Sequence, residues 1–481
     1  MISCYPFQRL LALFAMLFLT TSFVLAAEKQ PNVLLISIDD LNDWTGVQGG
    51  HPQAQTPNID RLAARGTLFN NAHCQSPVCN PSRSSLMTGR HPHSSGVYFL
   101  SPDLQQAPAL QDLDTLPERF AKHGYQTLAV GKLFHTRDQR FFQTYGGNMG
   151  GFGPRPKKKI SQPHGHPLWD WGAFPDLDED MPDDKIASWA VEQLNAMPKD
   201  LEKPFFMGVG FYRPHVPMFA PKKWFDKFPQ DQIQLPLVKE NDRDDLSPYA
   251  IALTNEKHVS PTHQWMTSAG QWQHAVQSYL ASVAFADHCL GRVLDALDAS
   301  EHKDNTIVVL FSDHGFHLGE KQRWAKRTIW ENGTRVPVIV AAPGFRAGQI
   351  SPKPAQLLDL FPTLLDLANL PRDHSQEGHS LVPLLNNPAA DWPHIALSSF
   401  GKGNFAVRSQ RYRYIQYLDG SEELYDHQVD PHEWNNLAKD ANALAILEAY
   451  RKHIPEKQAD VLPGKSTGHN AYSAAQRFVK Q

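Results

Sequence analysis

Two kinds of apolar pattern alternate along the chain. Short continuous apolar runs at 33–38, 127–130, 205–211, 307–312 and 336–341 are each bounded by turn residues. They predict strands of a parallel sheet buried on both faces. Between them, apolar positions recur at helical spacing. HAVQSYLASVAFADHCLGRVLDALD at 274–298 puts Val276, Tyr279, Leu280, Val283, Leu290, Val293, Leu294 and Leu297 on one stripe. DDKIASWAVEQL at 183–194 offers Asp183 or Asp184 as N-cap ahead of Ile186, Trp189, Ala190 and Leu194. AQLLDLFPTLLDLANL at 355–370 predicts another helix, interrupted at Pro362. Strands alternating with helices imply an α/β fold, a large parallel-rich sheet covered by helices on both faces.

After about residue 393 the pattern changes. FAVRSQRYRYIQYLDGSEELYD alternates apolar and polar positions, with Asp419-Gly420 as a hairpin turn. This predicts a smaller C-terminal antiparallel sheet followed by a helix from about Ala441. The expected division is a main domain over 28–392 and a subdomain over 393–481. Segments 141–182 and 212–270 are rich in Pro and Gly and read as long loops, which in a compact fold are usually functional. The first 27 residues stand apart: Arg9, the apolar run LLALFAMLFLTTSFVLA, then Ala26 and Ala27. That is the pattern of a secretory signal over 1–27, with a membrane anchor as the competing reading. No other segment is long and apolar enough to span a bilayer.

Composition narrows the function. A net charge of −4 argues against a nucleic-acid partner. Of four cysteines, Cys4 belongs to the leader, leaving Cys74, Cys79 and Cys289. An odd number in an exported chain is not a disulfide framework. Cys289 sits in a helical pattern as a small hydrophobe, and whether Cys74 pairs with it is left open.

The residues just beyond each strand are more informative. The run at 33–38 ends in Asp39-Asp40, that at 127–130 leads to Lys132 and His135, that at 205–211 to His215, and that at 307–312 to Asp313-His314. In an open parallel sheet ligands bind at the carboxyl ends of strands. Each of these signals is weak alone, since paired acids at a strand end and a His between prolines are common in ordinary loops. Their coincidence points to a site. In SPVCNPSRSSLMTGR, Asn80 is a favoured N-cap and Pro81 a favoured first helical residue, with Gly89 as the stop. Cys79 then lies just ahead of a helix N-terminus, where unpaired N–H groups favour an anion, with Arg83 one turn in. One reading is a buried cysteine before a capped helix; the other is a nucleophile held against an anionic group.

CNPSRSSLMTGR at 79–90 resembles the signature of the type I, formylglycine-dependent sulfatases, Cys-x-Pro-Ser-Arg followed by Thr-Gly-Arg. GYQTLAVGKLFH at 124–135 is similar to the family's second signature, and ELYDHQVDPHEWNNLA to its C-terminal module. SDHG, GKLFH, RPHVP and EKQRWAK resemble the iduronate-2-sulfatase branch. Two departures are Asn80, where Ser, Thr, Ala or Cys is commoner, and the absence of cysteines matching the disulfides of the vertebrate iduronate enzyme.

The resemblance implies an alkaline phosphatase/sulfatase-like fold and conversion of Cys79 to formylglycine by a transient partner, the formylglycine-generating enzyme. In its hydrated form one hydroxyl attacks sulfur and the other lets the intermediate collapse and eject sulfate. It implies Ca²⁺ held by Asp39, Asp40, Asp313 and His314 with an oxygen of residue 79. Arg83, Lys132 and Lys326 would stabilise charge on the sulfuryl oxygens. His215 and Lys326 are the candidate proton donors and His135 the base. The implied substrate is a sulfated carbohydrate, in an exported location. Trp169, Trp171 and Trp189, with the basic run at 157–159, suit the walls of a carbohydrate cleft, and the basic run reads equally as a solvated loop. The alternatives are a formylglycine-dependent phosphonate monoester or phosphodiester hydrolase and a non-catalytic, calcium-dependent glycan-binding protein.

Overall fold

Seven strands build the central sheet: β1 Asn32–Ile38, β2 Thr67–His73, β3 Gln126–Gly131, β4 Phe205–Phe211, β5 Thr306–Ser312, β6 Val338–Ala341 and β7 Gln349–Gln356. The computed structural model describes residues 29–136, 138–161, 168–255 and 259–479, so the reading of 1–27 as a signal lies outside the described residues. The order across the sheet is β7, β2, β6, β5, β1, β4, β3, and the short strands Thr144–Tyr145 and Arg335–Val336 extend it beside β3 and β2. β5, β1, β4 and β3 are mutually parallel, as are β7 and β2.

The centre of the sheet is buried on both faces, as its unbroken apolar runs require. Leu34, Ile36 and Ile38 of β1 join one core, together with α1 Pro57–Arg65, α3 Pro182–Ala196 and α4 Trp272–Ala299. Val33 and Leu35 point the other way, into a second core containing Leu86 and Met87 of α2 Cys79–Thr88 and Leu360, Phe361, Leu364 and Leu365 of α5 Leu360–Leu367. Four antiparallel strands, β8 Ala396–Ser399, β9 Phe405–Arg408, β10 Tyr412–Gln416 and β11 Glu422–Asp426, form a separate sheet in sequence order. The turn between β10 and β11 contains Asp419 and Gly420 at φ +83°, as the hairpin signal anticipated. Among the described residues no helix is long and apolar enough to cross a membrane.

Several local expectations change. The run at 336–341 is a strand, but β6 is antiparallel to both neighbours, because two-sided burial fixes an apolar run without fixing its direction. β2 and β7 carry polar and proline residues that hid them. Residues 355–356 finish β7, Leu357–Asp359 form a 3₁₀ turn, and Pro362 falls in the first turn of α5. There its missing N–H has no intrahelical partner to lose, so it does not interrupt the helix. Asp183 is no N-cap: α3 starts at Pro182, and the Asp183 carboxylate accepts from the N–H groups of Tyr212 and Arg213. The C-terminal helix begins as a 3₁₀ turn at Ala441–Ala443 and becomes α6 Leu444–Arg451, with α7 Thr467–Ala475 beyond it. The two long segments contain ordered pieces, including the parallel ribbon of Trp171–Ala173 with Met218–Ala220. Trp169 and Trp171 are 2% and 0% exposed and belong to the core, not to a cleft wall, while Trp189 is half-buried against that core.

Candidate active site

The carboxyl ends of β1, β3, β4 and β5 deliver their polar residues to one place. Asp39 and Asp40 follow β1, and Asp40 adopts a left-handed conformation, φ +64°, that Asp tolerates better than most residues. Its backbone is fixed from two sides: its N–H donates to Asp313 Oδ1 at 3.2 Å and its carbonyl accepts from Tyr279 Oη at 2.7 Å. β3 ends at Gly131, φ +77°, where a Cβ would lie 2.0 Å from the Gly210 carbonyl; only glycine lets β3 and β4 part to release Lys132.

α2 begins at Cys79 itself, two residues earlier than the N-cap reading placed it. Val78 is the N-cap, and Asn80 is inside the helix with its amide donating to the carbonyls of Phe99 and Pro102. Gly89 terminates α2 at φ +69°, as expected. Cys79 thus occupies the first helical turn, among N–H groups without intrahelical acceptors. Cys74, Cys79 and Cys289 are all free thiols, so Cys74 and Cys289 do not pair.

Arg83 is the hub. Its Nε donates to Asp313 Oδ2 at 2.8 Å, Nη2 to Asp39 Oδ1 at 3.3 Å, and Nη1 to the carbonyl of Lys132 at 2.6 Å. Lys132 Nζ reaches Asp39 Oδ2 at 2.6 Å. Lys326 Nζ lies 2.5 Å from Asp40 Oδ1 and 3.3 Å from Cys79 Sγ. His314 Nε2 is 3.3 Å from the same sulfur and 3.4 Å from Asp40 Oδ1, while its Nδ1 faces the Gly315 carbonyl at 3.0 Å. His215 Nε2 stands 3.8 Å from Asp40 Oδ2, its Nδ1 donating to the Val216 carbonyl at 2.6 Å. His135 is half-buried and hydrogen-bonds the Cys79 side chain. Every catalytic or metal-ligating candidate singled out in the sequence therefore meets in one cluster.

Burial opposes every charge here, and the neighbours decide the outcome. It would raise the Cys79 thiol, but Lys132, Lys326 and His314 hold it well below the usual thiol range. Asp39 is likewise held well below the usual carboxylate range against its burial, chiefly by Lys132. Lys326 is pushed up despite burial by Asp40, Cys79 and Asp39, so it stays cationic. The result is a buried cluster with fixed cations around position 79.

Ligand atoms of Asp39, Asp40, Cys79 and His314 lie within 4.8 Å of one another. Asp40 Oδ2 is buried without a hydrogen-bond partner, which is the expected condition of an oxygen reserved for a cation. Asp313 stands beside this group with Oδ1 engaged by the Asp40 N–H and Oδ2 by Arg83. A cavity of about 1100 Å³ lies elsewhere and is lined by Asp43, Arg335, Arg408 and His427 among others. No Cys, Ser or Lys lines it, so it offers cations from its arginines but no nucleophile of the kind found in the cluster.

Sequence reasoning missed the residues that support the cluster. Tyr279 fixes Asp40, Ser82 Oγ donates to the Asp313 carbonyl at 2.5 Å, and Arg213 braces the loop bearing His215. Tyr279 lies on an ordinary apolar stripe and has no local signal; Arg213 was visible only as a neighbour of His215.

The family model for sulfatases matches residues 31–370, and the model described as N-sulphoglucosamine sulphohydrolase, C-terminal, matches 319–460. The chain belongs to the sulfatase family and is a sulfuric ester hydrolase. A sulfatase of Formosa agariphila is 40% identical over 446 residues, covering 89% of this chain and 87% of its own. A delta 4,5-hexuronate-2-O-sulfatase of Bacteroides thetaiotaomicron is 30% identical over 446 residues, covering 88% of each. Human iduronate 2-sulfatase is equally distant, 30% identical with 70% and 69% covered, so the iduronate branch is one of several similar relatives. The structure of a 2-O GAG sulfatase superposes with TM-score 0.67 at 26% identity over 88% of this chain and 91% of that one. The phosphonate monoester hydrolase of Agrobacterium radiobacter shares the fold, TM-score 0.70 at 22% identity, over 88% and 94%.

Proposed function

We propose that this protein removes sulfate from an acidic, glycosaminoglycan-like carbohydrate outside the cytoplasm, with position 79 converted from cysteine to formylglycine and a calcium ion beside it. The observation that carries this is the convergence of Lys132, Lys326, His314 and His135 on the side chain of residue 79 at the first turn of α2. Cys79 Sγ marks where the oxygens of a formylglycine hydrate would sit; that group supplies a nucleophile whose second hydroxyl permits release of sulfate without attack by water. The orphaned Asp40 oxygen and the carboxylate of Asp39 fit a hard divalent cation, which would offset charge on the sulfuryl oxygens. His314 completes the group as the softer ligand, and Asp313 supports it through Arg83 and the Asp40 N–H.

The remaining roles belong to the chain. Lys132 and Lys326, fixed by Asp39 and Asp40, present ammonium groups to an anion at position 79 and need no reorganisation as charge develops there. His215 holds its ring through Nδ1 and directs Nε2 into the cluster, where the protonated imidazole can donate to the departing sugar oxygen. His135, in the loop after β3, accepts a proton from the side chain of residue 79. The hexuronate and iduronate relatives support a 2-O-sulfated uronate as substrate.

Three measurements test this. Mass spectrometry of the peptide containing residue 79, from a host with the converting enzyme, is expected to show the aldehyde; sulfate release is then expected from a uronate-2-sulfate and not from phosphodiesters. An unconverted but active protein, or preference for phosphonate esters, overturns the reading. Calcium at a hundredfold excess over Kd is expected to stabilise the fold by about 2.7 kcal/mol, a shift that Asp40→Asn abolishes.

A further inference from the structure

Phe152 lies in the glycine-rich run GGNMGGFG at 146–153, remote in sequence from every motif above. Its ring stacks on His215, centroids 4.6 Å apart and planes at 29°, and has Lys132 Nζ 5.5 Å from its centre. Tyr212 meets it edge-on at 5.4 Å. The ring is half-buried, whereas His215 and Lys132 are 6% and 4% exposed. Phe152 is therefore an outer layer over two members of the cluster.

The backbone behind it is pinned by Arg213, 1% exposed. Nη2 donates to the Phe152 carbonyl at 2.7 Å, Nη1 to the His215 carbonyl at 3.1 Å, and Nε to the Phe219 carbonyl at 3.0 Å. Burying a guanidinium is costly unless its donors are satisfied. Here one rigid fork ties the run bearing Phe152 to the 213–219 stretch bearing His215. Gly153, φ +86°, lets the chain pass, since a Cβ there would come within 3.3 Å of Arg213 Nη2.

We propose that Phe152 is a positioning residue for the leaving-group side of the reaction: stacked on the imidazole, it fixes the plane of His215 so that Nε2 faces the departing oxygen, and Arg213 holds Phe152 in that place. A hydrogen bond at Nδ1 still tolerates rocking of the ring about its Cβ–Cγ bond; a stacked aromatic face narrows that freedom. The inference rests on His215 as proton donor. Donor orientation matters most when the departing oxygen is a poor leaving group, because an activated phenolate leaves without a proton.

The test is a series of aryl sulfates of graded leaving-group acidity together with a sugar sulfate, turned over by the converted enzyme, Phe152→Ala, Phe152→Leu, His215→Asn and the double variants. Phe152→Ala is expected to lower kcat roughly 10- to 100-fold on the sugar sulfate and less than about threefold on the most activated ester, with KM little changed. The loss is expected to vanish in the His215→Asn background, since the two residues act as one unit. Phe152→Leu keeps the apolar cover without a planar ring and is expected to behave like Phe152→Ala; it carries the test where Phe152→Ala folds poorly. Equal losses on all esters, additivity with His215→Asn, or wild-type rates for Phe152→Leu overturn the proposal. Wild-type enzyme inactive on every sulfate ester, or a His215→Asn loss blind to the leaving group, would instead overturn the functional reading beneath it.

Discussion

Two buried charge clusters can be compared directly in this molecule. One surrounds Cys79. The other joins the main fold to the C-terminal sheet: Glu331 accepts from Arg408 Nε at 3.0 Å and Arg413 Nη2 at 2.5 Å, while Glu433 pairs with Arg413 Nε at 2.7 Å and His427 Nε2 at 3.1 Å. Both are lined by acids, bases and histidines, and ligand atoms of both could be drawn around a metal. They differ in how their carboxylate oxygens are satisfied. Both oxygens of Glu331 accept from arginine and those of Glu433 from His427 and the Glu331 N–H, whereas Asp40 Oδ2 has no hydrogen-bond partner and a thiol stands at a helix N-terminus beside two lysines. Carboxylates that are all partnered fix how parts of a chain meet; one left open beside a thiol of lowered pKa is the pattern expected of a reaction site.

The sharpest way to break the comparison is to substitute one residue in each. Cys79→Ala is expected to remove at least about 10⁴-fold of the sulfatase rate while leaving the urea unfolding curve nearly unchanged. Glu331→Gln is expected to do the reverse, costing roughly 3–5 kcal/mol of stability because Arg408 loses its counter-charge and Arg413 keeps only Glu433, with turnover per folded molecule preserved. A rate loss in Glu331→Gln comparable to that in Cys79→Ala would erase the distinction. Lys326→Met is expected to lower kcat about 10²–10³-fold, most clearly seen in single-turnover assays.

The smallest effect concerns a third kind of buried charge, a lone carboxylate. Asp287 of α4 accepts the N–H groups of Asn58 and Ile59 and so caps α1, whose own Thr56 makes no capping bond. Burial pushes its carboxyl up to about 6. A raised carboxyl contributes its stability fully below the unfolded value near 3.8 and loses it as pH rises through about 6. The stability of wild type minus that of Asp287→Asn is therefore expected to fall by about 2 kcal/mol between pH 4 and 6 and to level off above about pH 7. A flat difference across that window would show that Asp287 ionises as freely as in the unfolded chain.

Much of the candidate site was legible because its residues come directly after strands. Asp39, Lys132 and Asp313 each sit within two residues of the end of an apolar run, and a parallel sheet puts such ends on one edge. The fold class was legible for the same reason, with α4 and the β10–β11 hairpin read directly from periodicity. The direction of β6 was not, nor was the existence of β2 and β7. Their polar and proline residues are accommodated by neighbours that sequence spacing does not reveal. Trp169 and Trp171 show the opposite error: aromatic residues in a Pro-rich segment suggested a cleft, and packing drew them into the core.

By itself the sequence determined which chemical groups this protein owns and which side of the sheet they must occupy, because strand ends, helix starts and short motifs are local properties of the chain. Only the tertiary structure decided which oxygen of Asp40 stays unpaired, that Tyr279 and Arg213 brace the cluster, and that Phe152 lies on His215. Those contacts join residues tens to hundreds of positions apart, and whether a buried charge is satisfied depends on neighbours that no local pattern encodes.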